Sequence, residues 1–160
     1  MDWLANIDGV QYFVARILPL VRAARPDCTL TIVGRDPSPA ILELGRRDPL
    51  IRVTGTVPDI RPYLWNAAVS IVPLRIGSGT RLKIYESMAA RVAVVSTSIG
   101  AEGLAVDPPH NIRIADQPED FARHCLELLA SAAARERLAS AGREMVAARF
   151  GWDCAAREFE

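Results

Sequence analysis

Val92-Ala93-Val94-Val95-Ser96-Thr97 is an uncharged run in which four of six residues are β-branched. Apolar side chains at consecutive positions offer both faces of a strand to a dry interior. That is the pattern of a strand inside a parallel sheet rather than of an antiparallel strand with one wet face. Working upstream, Val69-Ser70-Ile71-Val72-Pro73-Leu74, Ile51-Arg52-Val53-Thr54-Gly55 and Thr29-Leu30-Thr31-Ile32-Val33-Gly34 are further short strands. Downstream, Asn111-Ile112-Arg113-Ile114-Ala115 is a weaker one. Helical spacing fills the intervals. It is read from Gly9 to Arg25 (Val10, Phe13, Val14, Ile17, Leu18, Val21 on one face, Asp8 as cap), Pro39 to Arg46, Ile60 to Asn66, and the Gly-rich loop to about Ala90. Two more helices are read at Phe121 to Leu129, opened by Pro118-Glu119-Asp120, and at Ala134 to Arg149. Strands alternating with helices predict a doubly wound, Rossmann-like α/β fold, a parallel sheet covered on both faces.

The 160 residues suit one domain, residues 1–160. A doubly wound domain ordinarily opens on a strand. Here the first element is a helix, so the first strand is expected to be missing and the chain to be a fragment. At the other end Phe150-Gly151-Trp152-Asp153 reads as a turn into a helix that stops at Glu160. Nineteen basic side chains balance nineteen acidic ones, which gives no field for nucleic acid or an anionic membrane. Eighteen of the nineteen are arginine, and Lys83 is the only lysine. Cys28, Cys125 and Cys154 are odd in number and lack CxxC spacing, against a disulfide scaffold or zinc site and in favour of a reducing cytoplasm. No signal peptide or transmembrane run is visible, so any membrane association is expected to be peripheral.

In open parallel sheets ligands bind beyond the carboxyl ends of the strands. Those positions read Gly34-Arg35-Asp36, Gly55-Thr56-Val57-Pro58-Asp59, Leu74-Arg75-Ile76-Gly77-Ser78-Gly79-Thr80 and Ser96-Thr97-Ser98-Ile99-Gly100. Glycine allows close backbone approach, and hydroxyls and arginine donate to phosphate oxygens, so a polar anionic ligand is expected there. The segment Arg75–Thr80 feeds a helix, whose free amides and dipole favour an anion. Arg81 and Lys83 sit in its first turn, where the dipole disfavours cations unless an anion receives them. A capped helix with two solvated cations fits the same residues. The segment is neither a P-loop nor GxGxxG. Glu86, three residues after Lys83, is placed for an intrahelical ion pair or for ligand hydroxyls, the ion pair being favoured by spacing. His110 and His124 have no metal-ligand spacing and read as surface residues, and Trp3, Trp65 and Trp152 as packing anchors.

Gly77-Ser-Gly-Thr-Arg-Leu-Lys-Ile-Tyr-Glu-Ser-Met-Ala89, followed by Val92–Thr97 and Gly100-Ala-Glu-Gly-Leu104, resembles the C-terminal domain of retaining GT-B glycosyltransferases of the family 4 (group 1) type. Asp2-Trp3-Leu4-x-Asn6-Ile7-Asp8-Gly9-Val10, Gly55-x-Val57-x-Asp59-Ile60-Arg61-Pro62-Tyr63-Leu64 and Phe150-x-Trp152 extend the resemblance over nearly the whole chain. It implies a donor half that binds a nucleoside diphosphate sugar, opposite an N-terminal domain in cis that holds the acceptor and the acceptor-activating groups. The acceptor, whether glycan, lipid or small molecule, is unspecified. By position, Glu86 matches the second glutamate of the family's E-x7-E motif and is implied to bind the ribose hydroxyls. Gly79, Thr80 and neighbouring amides would face the diphosphate, and Val57 and Asp59 the nucleobase, mainly through backbone atoms.

Ser78 stands where many members carry the first glutamate, which touches the donor sugar. The basic residues that often grip the diphosphate near the first strand have no match between Trp3 and Val10. The expected donor site is therefore Arg35, Gly55, Val57, Asp59, Gly77, Ser78, Gly79, Thr80, Arg81, Lys83 and Glu86, with Arg81 and Lys83 replacing charge lost elsewhere. Catalytic residues of this chain are unassigned. The absence of DxD leads us to expect no metal or cofactor. The implied activity is retaining sugar transfer of the hexosyltransferase type, in the cytoplasm or peripherally at the inner membrane face, with the isolated fragment inactive. A sugar-nucleotide epimerase and a nonenzymatic α/β binding module are the alternatives.

Overall fold

The structure, a computed structural model, describes residues 3–77 and 82–150. Its elements in chain order are α1 (Leu4–Tyr12), a π-helical turn (Phe13–Ile17), α2 (Leu18–Ala24), β1 (Leu30–Ile32), α3 (Pro39–Arg47), β2 (Ile51–Val53), α4 (Arg61–Trp65) and β3 (Val69–Val72). There follow α5 (Leu82–Ala89), β4 (Ala93–Ser96), α6 (Ser98–Ala101), β5 (Arg113–Ile114), α7 (Pro118–Ala130) and α8 (Ala132–Phe150). All pairing is parallel: β1 with β2, and β3 with β4 with β5. The expected α/β class holds.

β4 is buried at every position, as its composition requires. Ala93 and Val95 pack with Phe13, Ile17, Val21, Phe121 and Leu128 on one face. Val94 points the other way, into a second cluster with Ile84, Met88, Ala101 and Ile112. The period-2 alternation of a strand thus feeds two layers of helix, with about 1.5–3 kcal/mol for each fully buried valine-sized side chain. Gly142 of α8 permits its close packing on α5, since a Cβ there would lie 3.0 Å from Met88 Cγ.

The strands are shorter than their sequence runs suggest. β3 ends before Pro73, which has no N–H to donate to a ladder. Asn111 is spent on a turn, its Oδ1 accepting the Asp107 N–H at 2.8 Å, so β5 starts later.

The first helix differs more. It starts at Leu4, not Gly9, so Asp8 lies inside it and caps nothing; Trp3 is the N-cap residue and supplies no side-chain bond. Trp3 and Leu4 are exposed, which is why the apolar periodicity missed this turn. In the π turn the Leu18 N–H donates to Phe13 O. Pro19 follows at once; its ring would clash with a carbonyl four residues back, and a wider turn relieves that clash without ending the helix. The short α6 was not anticipated from sequence. Thr97 caps it, accepting the Gly100 N–H at 2.9 Å.

The end of α2 is tied to the start of β2. Arg22 Nε donates to Cys28 O at 3.1 Å, and Arg22 Nη1 binds the Asp48 carboxylate, which also accepts the Leu50 N–H at 2.9 Å.

Candidate functional site

The carboxyl end of β3 is held by α1. Gly9 lets the helix approach so closely that a Cβ there would lie 3.0 Å from Pro73 O. Asp8 then accepts from Arg75 Nε at 3.1 Å and from Arg75 Nη2, while the guanidinium lies 4.5 Å from the Tyr12 ring centroid. The paired carboxylate raises the Arg75 pKa. Arg75 therefore binds helix to loop, and the strand-end arginine read as a possible phosphate donor is already engaged. Gly77 follows with φ of 142°, a region that favours glycine.

Ser78, Gly79, Thr80 and Arg81 lie outside the described residues. α5 resumes at Leu82, and its register is set by a hydroxyl pair, Ser87 Oγ to Ser70 Oγ of β3 at 2.8 Å. With Ile84 and Met88 in the core, Lys83 and Glu86 are left on the open face of the helix. Both line a cavity of about 1030 Å³, together with Asn6, Gly34 and Arg35. Lys83 Nζ donates to Asn6 Oδ1 at 2.6 Å. Much of the lysine side chain is open to solvent, but protein crowds its ammonium, and that desolvation lowers its pKa against a smaller opposing pull from Glu86. The ion pair favoured by spacing is replaced: Glu86 acts on Lys83 at longer range, and the direct partner is Asn6.

The structure brings Arg35, Lys83 and Glu86 to one cavity. Arg35 is exposed and sits 3.6 Å from Asp36. Gly55, Val57 and Asp59 belong to the loop after β2 and are not among the cavity's lining residues, although Ile60, Pro62 and Tyr63 just beyond them are. Gly55 has φ of 71°, and a Cβ there would meet nothing. The Asp59 carboxylate accepts from the Arg61 N–H at 2.9 Å and from its guanidinium, bonds that hold its pKa down and secure the start of α4. Asn6 was missed as a functional candidate because its role depends on a residue 77 positions away. His110 and His124 face Asp107 and Glu127, in keeping with surface roles.

The family of group 1 glycosyl transferases matches residues 1–131. The chain belongs to that family. A relative described as an uncharacterized 44.6 kDa protein in the cps region of Klebsiella pneumoniae is 27% identical over 128 residues, 76% of this chain and 33% of the relative. The chain thus spans about a third of the length of the curated relative it matches. Among solved structures, the C-terminal domain of a group 1 family glycosyl transferase from Francisella tularensis superposes with a TM-score of 0.75 at 19% identity, over 90% of this chain and 80% of that one. Sucrose-phosphate synthase from Thermosynechococcus elongatus gives 0.68 at 22% identity, over 91% of this chain and 41% of that one. The fold of this group 1 glycosyl transferase chain is therefore the Rossmann-like C-terminal domain of the GT-B architecture. No described helix is long and apolar enough to cross a membrane.

Proposed function

We propose that this chain is the donor half of a retaining glycosyltransferase that binds a nucleoside diphosphate sugar at the mouth lined by Lys83 and Glu86. The observation that carries the reading is Lys83 itself, a cation at the start of α5, crowded by protein and held by a neutral amide rather than a carboxylate. A desolvated cation without a direct anionic partner among the described residues favours an incoming phosphate. Glu86, one turn on, is positioned for ribose hydroxyls. Departure of the nucleoside diphosphate leaves negative charge on the phosphate, and fixed cations and amides stabilise that charge in the transition state. Arg81 and the Gly77–Thr80 amides are assigned to the same task, and Arg35, Gly55, Val57 and Asp59 to the nucleoside end. No metal or cofactor is assigned. The acceptor and its activating groups belong to an N-terminal domain in cis, and the reaction to the cytoplasm, consistent with free Cys28 and Cys125.

Calorimetric titration of the chain with uridine and guanosine diphosphates tests this reading. Binding by wild type that weakens about tenfold in Glu86→Ala, the size expected for one hydrogen bond to a charged group, supports it. Equal binding by both proteins would remove Glu86 from the site, and binding of neither nucleotide would favour the nonenzymatic module. Conversion of a nucleotide sugar to its epimer without an acceptor would replace transfer with epimerisation.

A further inference from the structure

In α1 the residues Ala5, Asp8, Gly9 and Tyr12 share one face, at the i, i+3, i+4, i+7 spacing of a helical stripe. The stripe carries no large aliphatic side chain, which lets another backbone lie against it. It is spent on the segment that continues β3. A Cβ on Gly9 would lie 3.0 Å from Pro73 O, and a Cβ on Gly77 would lie 3.4 Å from Ala5 Cβ. Between these two close approaches the Asp8 carboxylate accepts from Arg75 Nε at 3.1 Å and from Arg75 Nη2, and the Tyr12 ring centroid lies 4.5 Å from the guanidinium. Residues 73, 75 and 77 thus each meet the stripe, the two-residue period of an extended chain laid on the 3.6-residue period of a helix.

The cavity mouth occupied by Lys83 and Glu86 is on the adjoining face of α1. Asn6, Gly9, Val10 and Phe13 line that cavity, whereas Ala5, Asp8, Tyr12 and Arg75 do not. Arg75 has the Nε edge of its fork on Asp8 and its face on Tyr12, and Asp8 cancels its charge at close range. The pair is partly exposed, and an exposed ion pair contributes little to stability. Its strength is geometric: a bidentate fork stacked on a ring fixes the orientation of a loop as a single bond does not. Tyr12 is anchored in turn. Its hydroxyl donates to Asp116 O beyond β5 at 3.4 Å, and its side chain packs against the cluster around Phe13 and Phe121.

We propose that Asp8 and Tyr12 are positioning residues acting through Arg75: they set where the chain leaves β3 and enters α5, while Arg75 itself touches no ligand. The proposal rests on the donor reading of that loop. Backbone amides stabilise a phosphate only within hydrogen-bond distance, so a displacement of about 1 Å weakens binding although no ligating group is lost. The rival role for Arg75 is that of a phosphate ligand held back by Asp8. The two roles differ in sign. Removing the Asp8 charge weakens nucleotide binding if the pair places the loop, and tightens it if the pair restrains a ligand.

The test uses the full chain with Asp8→Asn, Arg75→Met, the two combined, and Tyr12→Leu. Asp120→Asn, which breaks the exposed Asp120–Arg123 pair of α7, is the control. Without nucleotide, the heteronuclear NOE of the Ile76 and Gly77 amides should fall in the first three variants and stay unchanged in the control. In calorimetry with uridine and guanosine diphosphates, affinity should fall about tenfold in Asp8→Asn and in Arg75→Met, and about threefold in Tyr12→Leu. The combined variant should also lose about tenfold rather than about a hundredfold, because both changes break one tether. Melting temperatures should stay within about 4 °C of wild type, as for any exposed pair. Where Arg75→Met does not fold, Asp8→Asn, nearly identical in shape to wild type, carries the test.

Tighter nucleotide binding in Asp8→Asn would make Arg75 a restrained ligand and overturn the proposal. An unchanged NOE at Ile76 and Gly77 would overturn it too, as would a melting temperature lower by about 10 °C in Asp8→Asn, the mark of an ordinary stability contact. NOE loss with wild-type affinity would overturn the link between the tether and the ligand. Binding of neither nucleotide by wild type would end the donor reading; the NOE result, obtained without nucleotide, would still uphold or overturn the placement of residues 73–77 by α1.

Discussion

The carboxyl ends of β3 and β4 are neighbours in one sheet, and both carry the glycines and polar side chains expected around an anion, yet they spend them in opposite ways. After β4 the groups turn inward. Ser96 and Thr97 are 0% and 3% exposed. Ser96 Oγ donates to Val72 O and Thr97 O at 3.2 and 3.0 Å, and Thr97 Oγ1 donates to Leu74 O while capping α6. Ser98 is taken by Asp116, its N–H and hydroxyl donating at 2.8 and 2.7 Å. After β3, Lys83 and Glu86 stay open at the cavity mouth. A polar residue at a strand end is thus available to a ligand only if the adjoining strand leaves its bonds unmade.

Gly100→Ala is the hardest test of the inward-facing end. Its Cβ would lie 2.4 Å from Ser96 Oγ, 2.8 Å from Val72 O and 3.1 Å from Thr97 Oγ1. We expect a loss of about 3 kcal/mol, seen as a melting temperature lower by about 6–12 °C. Adding Ser96→Ala should recover only part, because the Val72 carbonyl is backbone and cannot move aside. Full recovery would show that the hydroxyl alone sets the close packing.

Lys83→Met tests the open end and should behave the other way. Removing a desolvated ammonium leaves stability unchanged or slightly higher in thermal melts. Nucleoside diphosphate affinity, by calorimetry, should fall about 30-fold, the equivalent of about 2 kcal/mol. A protein that instead melts early with affinity intact would make Lys83 a structural residue like Thr97. Thr97→Val is the smaller counterpart on the closed side. It deletes one helix cap and the bond to Leu74 O, for about 1–2 kcal/mol of stability by denaturant titration, with nucleotide affinity unchanged.

The same contrast explains what could be read in advance. The parallel sheet was legible because Val92–Val95 is apolar on consecutive positions, a signal that depends on no other segment. The loop before α5 was read as an anion site from its glycine content and position, and its residues 78–81 lie outside the described residues. The division of labour between the two strand ends was not, since Thr97 is settled by a carbonyl 23 positions away and Lys83 by an amide 77 positions away. Asp8 has the side chain of a helix cap, and only the arrival of Arg75 makes it a tether.

The smallest expected effect is pH-dependent, and it separates the two ends without disturbing the packing of either. Desolvation holds the Lys83 pKa below its ordinary value of 10.5, with Glu86 opposing weakly. A lysine with a lowered pKa in the folded state binds fewer protons there than in the unfolded chain. Between the lowered and ordinary values stability therefore rises with pH, and below the lowered value the cost of the crowded charge is fully present. Nucleotide binding has the opposite sign, because only the charged ammonium attracts phosphate and a bound anion draws the pKa back up. Affinity measured across the alkaline range should decline as pH rises through the lowered value, earlier than for an ordinary lysine, and Lys83→Met should lose that decline. Thr97→Val, which leaves Lys83 and Glu86 in place, should follow the wild-type curve. A decline retained in Lys83→Met would assign the proton to another group and would leave the open end of β3 without its proposed cation.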